Sequence, residues 1–355
     1  MDYNRNDIIT QELKAKFNMN IQIKDPQSRL FLKGYFKSDS EIHSSRFDKD
    51  DIMLALGCSN GLVCVYDLTR SEKTAFYTYL SSKSNMKLPC TSLRWFSSEK
   101  STKMRQVLIS ANTDGTIMYK NVKTDSTIYQ FKEEDDNEVY CIDALKNQLA
   151  TCGKDCKVRI YDIEAQTLQT TLEAIQWVQP GHNNRLFSVK IVPYDKNLVI
   201  SGGWDQNIII WDLRQKSQSG CIVGPKIAGD TIDIREGTIL TGANRMSEQL
   251  QIWDLGTQKL IENIKWEEKV ETAGAFIYGS QFGKGKGYCV GGVAHGTNEF
   301  KMFDRIKGSY KEAMQLGGFN KGLYTMDFAN TSNKCVIGGG DGLCLMLAIV
   351  PNKDQ

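Results

Sequence analysis

A chain of 355 residues, 41% hydrophobic and 10% aromatic, is long enough for one large β domain or two ordinary ones and can bury a substantial core. Lys and Arg number 44 against 42 Asp and Glu, and the net charge of +2 excludes the strong positive field of a nucleic-acid or acidic-membrane binder. No run approaches the roughly 18 apolar residues of a membrane span, and the opening "MDYNRNDIITQELKAKF" is too charged for a signal peptide, so cytoplasmic residence is expected.

The first predicted element is a short helix. In "NDIITQELKAKFNM", Ile9, Leu13 and Phe17 recur every four residues and share one helical face, which packs on the chain's own body or on a partner. Residues 29–36, "RLFLKGYF", follow as a lone strand. From there one template repeats: a short strand, a loop, a second strand ending in small residues, a turn with Asp or Asn, and a third strand. The third strands read "LVCVYDL" (62–68), "TIMYKNV" (116–122), "KVRIYDI" (157–163), "NIIIWDL" (207–213), "LQIWDL" (250–255), "FKMFDRI" (300–306) and "LCLMLAI" (343–349). Aligned, they set Tyr66, Lys120, Tyr161, Trp211, Trp253, Phe303 and Leu347 in register at intervals of 41 to 54 residues. A four-stranded propeller blade has a period of about 40–45 residues when its loops are short. Second strands such as "LVISGGWDQ" and "CVIGGGDG" are apolar and then give way to Gly, Asn or Asp, as a strand entering a tight turn should. First strands are fainter, as in "VYCID" (139–143), "LFSVKI" (186–191), "TIDI" (231–234) and "LYTMDF" (323–328). The last unit stops near Val350, one strand short.

With seven such units the chain resembles the WD40-repeat family over roughly residues 28–349. The resemblance implies an all-β, seven-bladed WD40 β-propeller over 28–350, with 1–27 as an N-terminal arm and 351–355 as a tail. It also implies that the strand at 29–36 fills the outer position of the last blade, closing the ring and removing a sheet edge.

The best-formed repeat is "GHNNRLFSVKIVPYDKNLVISGGWDQNIIIWD" (181–212). The resemblance assigns His182, Ser201, Asp205 and Trp211 to a buried chain from indole to hydroxyl to imidazole to carboxylate, in which each polar group finds a partner. His, Ser and Asp together also suit a hydrolase, but the propeller pattern gives all three a structural task. No other blade has the full set. Blade 3 keeps Thr151, Asp155 and Tyr161 without a histidine, and blade 2 keeps Ser110 and Asp114 with Lys120 where Trp belongs. With three histidines in the chain, apolar packing is expected to hold the remaining blades.

Three motifs invite catalytic or metal readings. "GSQFGKGKG" (279–287) has three residues between Gly279 and Gly283 and no Ser or Thr after Lys284, where a phosphate-binding loop needs four and then Lys-Ser or Lys-Thr. It reads as a basic hairpin loop. "CGKDC" (152–156) has no second ligand pair nearby, so no metal is expected. "KEEDDNE" (132–138) reads as a solvated acidic loop. No cofactor and no small-molecule substrate are expected.

The resemblance also indicates where partners bind. In WD40 propellers the top face is lined by the residue before the turn aspartate, here Ser59, Thr113, Lys154, Trp204 and Gly340, and by a position near the start of the first strand, here Thr91, Tyr140, Phe187 and Tyr324. Blades 5 and 6 have longer turns that the alignment does not place. The G-protein β subunit, of the same fold family, has Gly-Ser-Trp-Asp in its last blade, similar to "GGWD" (202–205), and that tryptophan contacts partners. Trp204, Tyr140, Phe187, Tyr324 and Lys154 are thus the candidate partner-binding residues. "LVISGGWDQNIIIWDLR" also resembles the box of WD-repeat substrate receptors of cullin-type ubiquitin ligases, where the closing arginine, here Arg214, faces the bottom and meets the adaptor.

The reading is a non-catalytic scaffold for other proteins, a structural subunit of a large eukaryotic assembly, with no nucleic-acid or membrane partner. The Asn-, Lys- and Ile-rich wording with six prolines suits an AT-rich protist genome and points to the ciliary or axonemal cytoskeleton as the narrower setting. A cullin-type ligase receptor and a G-protein-β-like signalling adaptor are the alternatives.

Overall fold

The computed structural model describes residues 15, 20–23, 29–70, 75–82, 87–96, 106–134, 137–266, 274–285 and 289–350. The described strands form seven antiparallel sheets, the blades of a β-propeller, and each blade runs from an innermost strand a to an outermost strand d. Blade 4 shows the pattern: Leu186–Ile191 (a), Leu198–Gly203 (b), Asn207–Asp212 (c) and Ser217–Val223 (d), paired in that order. Strands b and c are buried almost throughout while d is mostly part-exposed. An inner strand has another blade against each of its faces, so it reads as a continuous apolar run rather than an alternation.

The apolar residues gather in seven clusters, each shared by two neighbouring blades. Trp211, Val199 and Ile209 of blade 4, for example, pack with Cys141, Ala150 and Ile160 of blade 3. Hydrogen bonds near the channel stitch the same seams. Ser44, Ser92 and Ser188 on strand a accept the backbone N–H of Leu93, Ile142 and Ile232 in the next blade (3.1, 3.2 and 3.2 Å), and Thr325 of blade 7 accepts that of Ser45 in blade 1 (2.9 Å). Two residues further along, Asp143, Asp233, Gln281 and Asp327 accept Ile191, Phe282, Phe328 and Phe47 at 2.8 to 3.0 Å.

The first described segments close the ring. Arg29–Lys37 pairs with Leu343–Val350 from Arg29↔Val350 to Lys37↔Leu343, with a bulge between Leu32 and Gly34, and so supplies strand d of blade 7. A second clasp lies in the a–b turns: the Asp51 carboxylate of blade 1 accepts the backbone N–H groups of Asn330, Thr331 and Ser332 of blade 7 (2.7, 2.7 and 3.0 Å) and the Thr331 hydroxyl (2.7 Å). Residues Asn20–Ile23 add a fifth strand to blade 6, from Asn20↔Gly317 to Ile23↔Met314. This part of the arm is therefore a strand. "NIQI" alternates polar and apolar residues, the period of a strand, and the outer edge of blade 6 offers it unpaired backbone groups. Ile9, Leu13 and Phe17 of the expected helix lie outside the described residues.

In blade 4 the Trp211 indole N–H donates to Ser201 Oγ (2.8 Å), Ser201 Oγ lies 2.8 Å from His182 Nε2, and His182 Nδ1 lies 2.7 Å from Asp205 Oδ2. Only Nδ1–H can satisfy a carboxylate, so Nε2 is the acceptor for the serine hydroxyl. Burial alone would raise the Asp205 pKa, but the bond to His182 and those from the backbone N–H groups of Asn207 and Asn183 together hold the carboxyl below its usual value. The other blades do not rely on apolar packing alone, contrary to the expectation from the histidine count. In blade 3 the buried Glu133 accepts from Thr151 Oγ1 (2.6 Å), Tyr161 OH (3.0 Å), Asn137 Nδ2 (2.7 Å) and Arg159 Nη1 (3.1 Å), and Arg159 also reaches Asp155 (2.5 Å). A carboxylate here stands in for the missing histidine. In blade 6 the buried Glu299 accepts the Trp266 indole N–H (2.8 Å) with Lys301 3.6 Å away. The acidic run 132–138 is thus only partly solvated, because Glu133 finds four donors in the interior that replace the water it loses.

Candidate partner-binding face

The b–c turns and the blade-to-blade connections lie at one end of the ring, here called the top. One hydrogen bond recurs there. The N–H of the residue before the turn aspartate, or its equivalent, donates to the carbonyl just ahead of strand a: Ser59 to Glu41 (2.8 Å), Thr113 to Pro89 (3.2 Å), Lys154 to Glu138 (3.0 Å), Trp204 to Arg185 (3.0 Å) and Gly340 to Gly322 (2.9 Å). The approach is too close for a side chain on the preceding residue of blade 4, since a Cβ on Gly203 would lie 2.0 Å from the Arg185 carbonyl. That contact explains the second glycine of "GGWD".

In blade 4 the bond brings Trp204 beside Phe187, the second residue of strand a. In blade 4 the rings of Trp204 and Phe187 lie 5.2 Å apart, and Phe187 stacks on Tyr140 of blade 3 at 4.8 Å with 3° between planes. The Tyr140 hydroxyl donates to Glu138 (2.5 Å), which also holds the Lys154 ammonium (2.8 Å). Burial and then Glu138 push the Tyr140 phenol up to about 12. Tyr140, Phe187, Trp204 and Lys154 thus form one arc over blades 3 and 4. Trp204 ends the arc at 40% exposure, with the Arg185 guanidinium 5.9 Å and the Lys226 ammonium 5.5 Å from its ring.

Tyr324 belongs to a different arc. It is sandwiched between His43 of blade 1 (5.6 Å) and His295 of blade 6 (6.4 Å), with Tyr278 edge-on at 5.8 Å. Burial lowers the pKa of His43 and so favours its neutral form, with Glu41 opposing weakly. Sequence reasoning missed His43, Tyr278, His295, Arg185 and Lys226. "IHSSRF" and "IYGSQF" align with "LYTMDF" at His43, Tyr278 and Tyr324, so a strand-a alignment finds two of them. His295 occupies the place of Trp204 in blade 6, since Ala294 pairs with Ile277 as Gly203 pairs with Leu186, but the longer turn there hid the alignment. Arg185 is the residue just ahead of strand a, and Lys226 lies in a connection that no repeat position marks.

Between the arcs lies a cavity of about 290 Å³, walled by His43, Tyr140, Phe187, Tyr278 and Tyr324 and reaching Arg46 and Asp230. Asp230 takes Arg46, Arg94 Nη2 (2.9 Å), Lys190 (3.5 Å) and the Ser188 hydroxyl (3.3 Å), and Arg94 also pairs with Asp143 (3.0 Å). Burial alone would raise the Asp230 pKa, but Lys190, Arg94 and Arg46 hold it far below the usual carboxylate range. Below the aromatic rim, Arg46, Arg94, Lys190, Asp143 and Asp230 form one ion-pair network. Arg214 lies at the opposite end of blade 4, where its Nε and Nη2 grip Asp212 (2.9 and 2.7 Å) and its side chain stays 60% exposed.

Known proteins share these repeats. The family model described as WD domain, G-beta repeat matches residues 125–162 and 173–212. The guanine nucleotide-binding protein subunit beta of Zea mays is 21% identical over 187 residues, 50% of this chain and 49% of that protein. Human coronin-7 is 29% identical over 68 residues, 19% of this chain and 7% of that protein, and human coronin-2A is 32% identical over 69 residues, 19% and 13% respectively. The chain spans about half the length of the β subunits it matches, and less of the coronins. With seven antiparallel blades built on one repeating template and with these matches, the chain belongs to the WD40-repeat family.

Proposed function

We propose that the chain is a non-catalytic protein-interaction scaffold whose partner surface is the top face, with Trp204 as its anchor. The observation that supports this is the exposure of Trp204 at the end of the stacked arc Tyr140–Phe187–Trp204. Aromatic area fixed in place beforehand binds without a large ordering cost, which is the character of an interface hot spot. As the finer assignment we place the chain as a stable subunit of a multi-protein assembly, with the ciliary cytoskeleton as the setting its Asn-, Lys- and Ile-rich composition favours. Affinity purification with cross-linking, run on the wild type and on Trp204→Ala, tests the surface. Partner recovery should fall roughly tenfold or more with little change in thermal midpoint; unchanged recovery with a large loss of stability would assign Trp204 to packing instead. Arg214→Ala is the matched variant on the opposite face, and recovery lost there alone would favour the ligase-receptor reading. The similarity to guanine nucleotide-binding protein β subunits over half the chain favours a second reading, a β-like signalling adaptor. Recovery of another subunit of such a protein would support it.

A further inference from the structure

The top of blade 4 carries unmatched charge as well as aromatic area. Arg185 and Lys226 both lie against the Trp204 ring, and among the described residues neither stands within ion-pair distance of a carboxylate. Glu138, the carboxylate that feels the Arg185 charge at a distance, is bonded to the Lys154 ammonium (2.8 Å), and Asp205, next to Trp204 in the turn, is bonded to His182 (2.7 Å). Two cations beside an aromatic ring, neither bonded to a carboxylate, are a built half of a charge pair.

Exposed apolar groups stand on the connection into blade 4, at the end of its strand d and in the b–c turn of blade 5. The connection into blade 4 folds as a tight hairpin in which Val178 N and Gln179 N donate to the Ile175 carbonyl (2.9 and 2.8 Å) and Gln179 Nε2 donates to Glu173 O (3.0 Å). At its tip Trp177 is 97% exposed, beside the exposed Ile175 and Val178. A Cβ on Gly181 would lie 2.5 Å from Ala174 N, so glycine lets the hairpin fold back onto the blade, and the His182–Asp205 bond ties the same connection to the Trp204 turn. On the blade 5 side Val223 and Met246 are exposed, and the intervening segment is fixed by Asn244 N donating to Lys226 O (2.7 Å).

We infer that the top of blade 4 receives an acidic segment of a partner protein. Its Asp or Glu carboxylates lie between Arg185 and Lys226 over Trp204, and its apolar side chains rest on the Trp177 hairpin on one side and on Val223 and Met246 on the other. The inference depends on the top-face reading above and narrows it to one chemistry. A lipid surface is disfavoured because polybasic lipid sites gather about four to eight Lys and Arg, and this centre has two.

Selection of random displayed dodecapeptides on the full-length protein tests the inference. The enriched peptides should carry adjacent Asp or Glu with apolar residues on both flanks. A labelled enriched peptide should lose roughly tenfold or more in affinity in its Gln/Asn counterpart, on the Arg185→Glu/Lys226→Glu double variant and on Trp204→Ala, and added salt should weaken it. Trp177→Ser should weaken it as well, and these surface variants should keep the wild-type thermal midpoint. Enriched peptides without acidic residues, acidic peptides indifferent to the charge reversal, or no enrichment at all would overturn the inference. Neutral peptides whose binding is lost with Trp204→Ala would overturn it while leaving the top-face reading standing, whereas enriched peptides indifferent to Trp204 would remove both. Binding of anionic vesicles, or self-association, abolished by the charge reversal with no acidic peptide selected would assign the surface to lipid or to a second copy.

Discussion

Two tryptophans of blade 4 sit seven residues apart and do opposite things. Trp211 is fully buried in the cluster that blade 4 shares with blade 3, and its indole N–H begins the chain through Ser201 and His182 to Asp205. Trp211→Ala should cost about 3–5 kcal/mol, from the cavity it leaves and the hydroxyl it strands; urea unfolding measures it, and a cost below about 1 kcal/mol would deny the indole its structural role. Glu133 has the corresponding place in blade 3, where it answers four donors. Glu133→Ala leaves Arg159 with only Asp155 and should cost about 3–5 kcal/mol by the same measurement. Such a loss would separate Glu133 from its exposed neighbour Glu134, whose replacement by Ala should fall within about 0.5 kcal/mol.

At the scale of elements, closure depends on strands distant in sequence. Leu343–Val350 has Lys334–Gly339 on one side and Arg29–Lys37 on the other, so blade 7 is completed only when the two ends of the described chain meet. Deleting residues 1–37 removes this strand and the fifth strand of blade 6 together, and bares an apolar edge carrying Leu345 and Leu347. The truncated protein should aggregate or lose its cooperative transition in size-exclusion and thermal-melt measurements. A soluble monomer with the wild-type midpoint would show that the Asp51 clasp on Asn330, Thr331 and Ser332 closes the ring by itself.

At the scale of the whole molecule, no blade buries both faces alone, because every apolar cluster is shared by two blades. Carboxylates in several seams therefore act on one cooperative structure. For Asp51, burial raises the pKa, but the bonds from Thr331, Asn330 and Ser332 outweigh it and the net value lies below the ordinary 3.8. Asp205, Asp230 and Asp327 are also depressed, through His182, through Lys190, Arg94 and Arg46, and through Lys284 and Arg46, each against the opposing effect of burial. Asp48 and Asp233 are raised, burial being the largest cause in both. A depressed carboxylate binds its proton more weakly folded than unfolded, so its contribution is complete above the unfolded pKa and is lost as pH falls through the folded one; a raised carboxylate acts in the opposite sense. Four against two, the thermal midpoint should fall steeply below about pH 4. A flat midpoint down to the lowest folded pH would contradict the seam carboxylates, and Asp51→Ala should reduce the slope.

The seven-unit repeat, the apolar inner strands and the closing segment at 29–36 were legible in the residues alone, because burial between blades writes the same pattern every 41 to 54 residues. Tyr140 and Phe187 at one repeat position and Trp204 at another were legible too, and the bond from the pre-aspartate N–H explains why the two positions adjoin in blade 4. What the residues did not show is which groups from different blades meet. The sandwich of Tyr324 between His43 and His295 joins residues some 250 positions apart. Glu133 looked solvated because its four donors come from later in the chain, and Arg185 and Lys226 come together only at the Trp204 ring. Local pattern decides what one strand can bury, whereas charge pairing across a ring is settled only by the distances that closing the ring imposes.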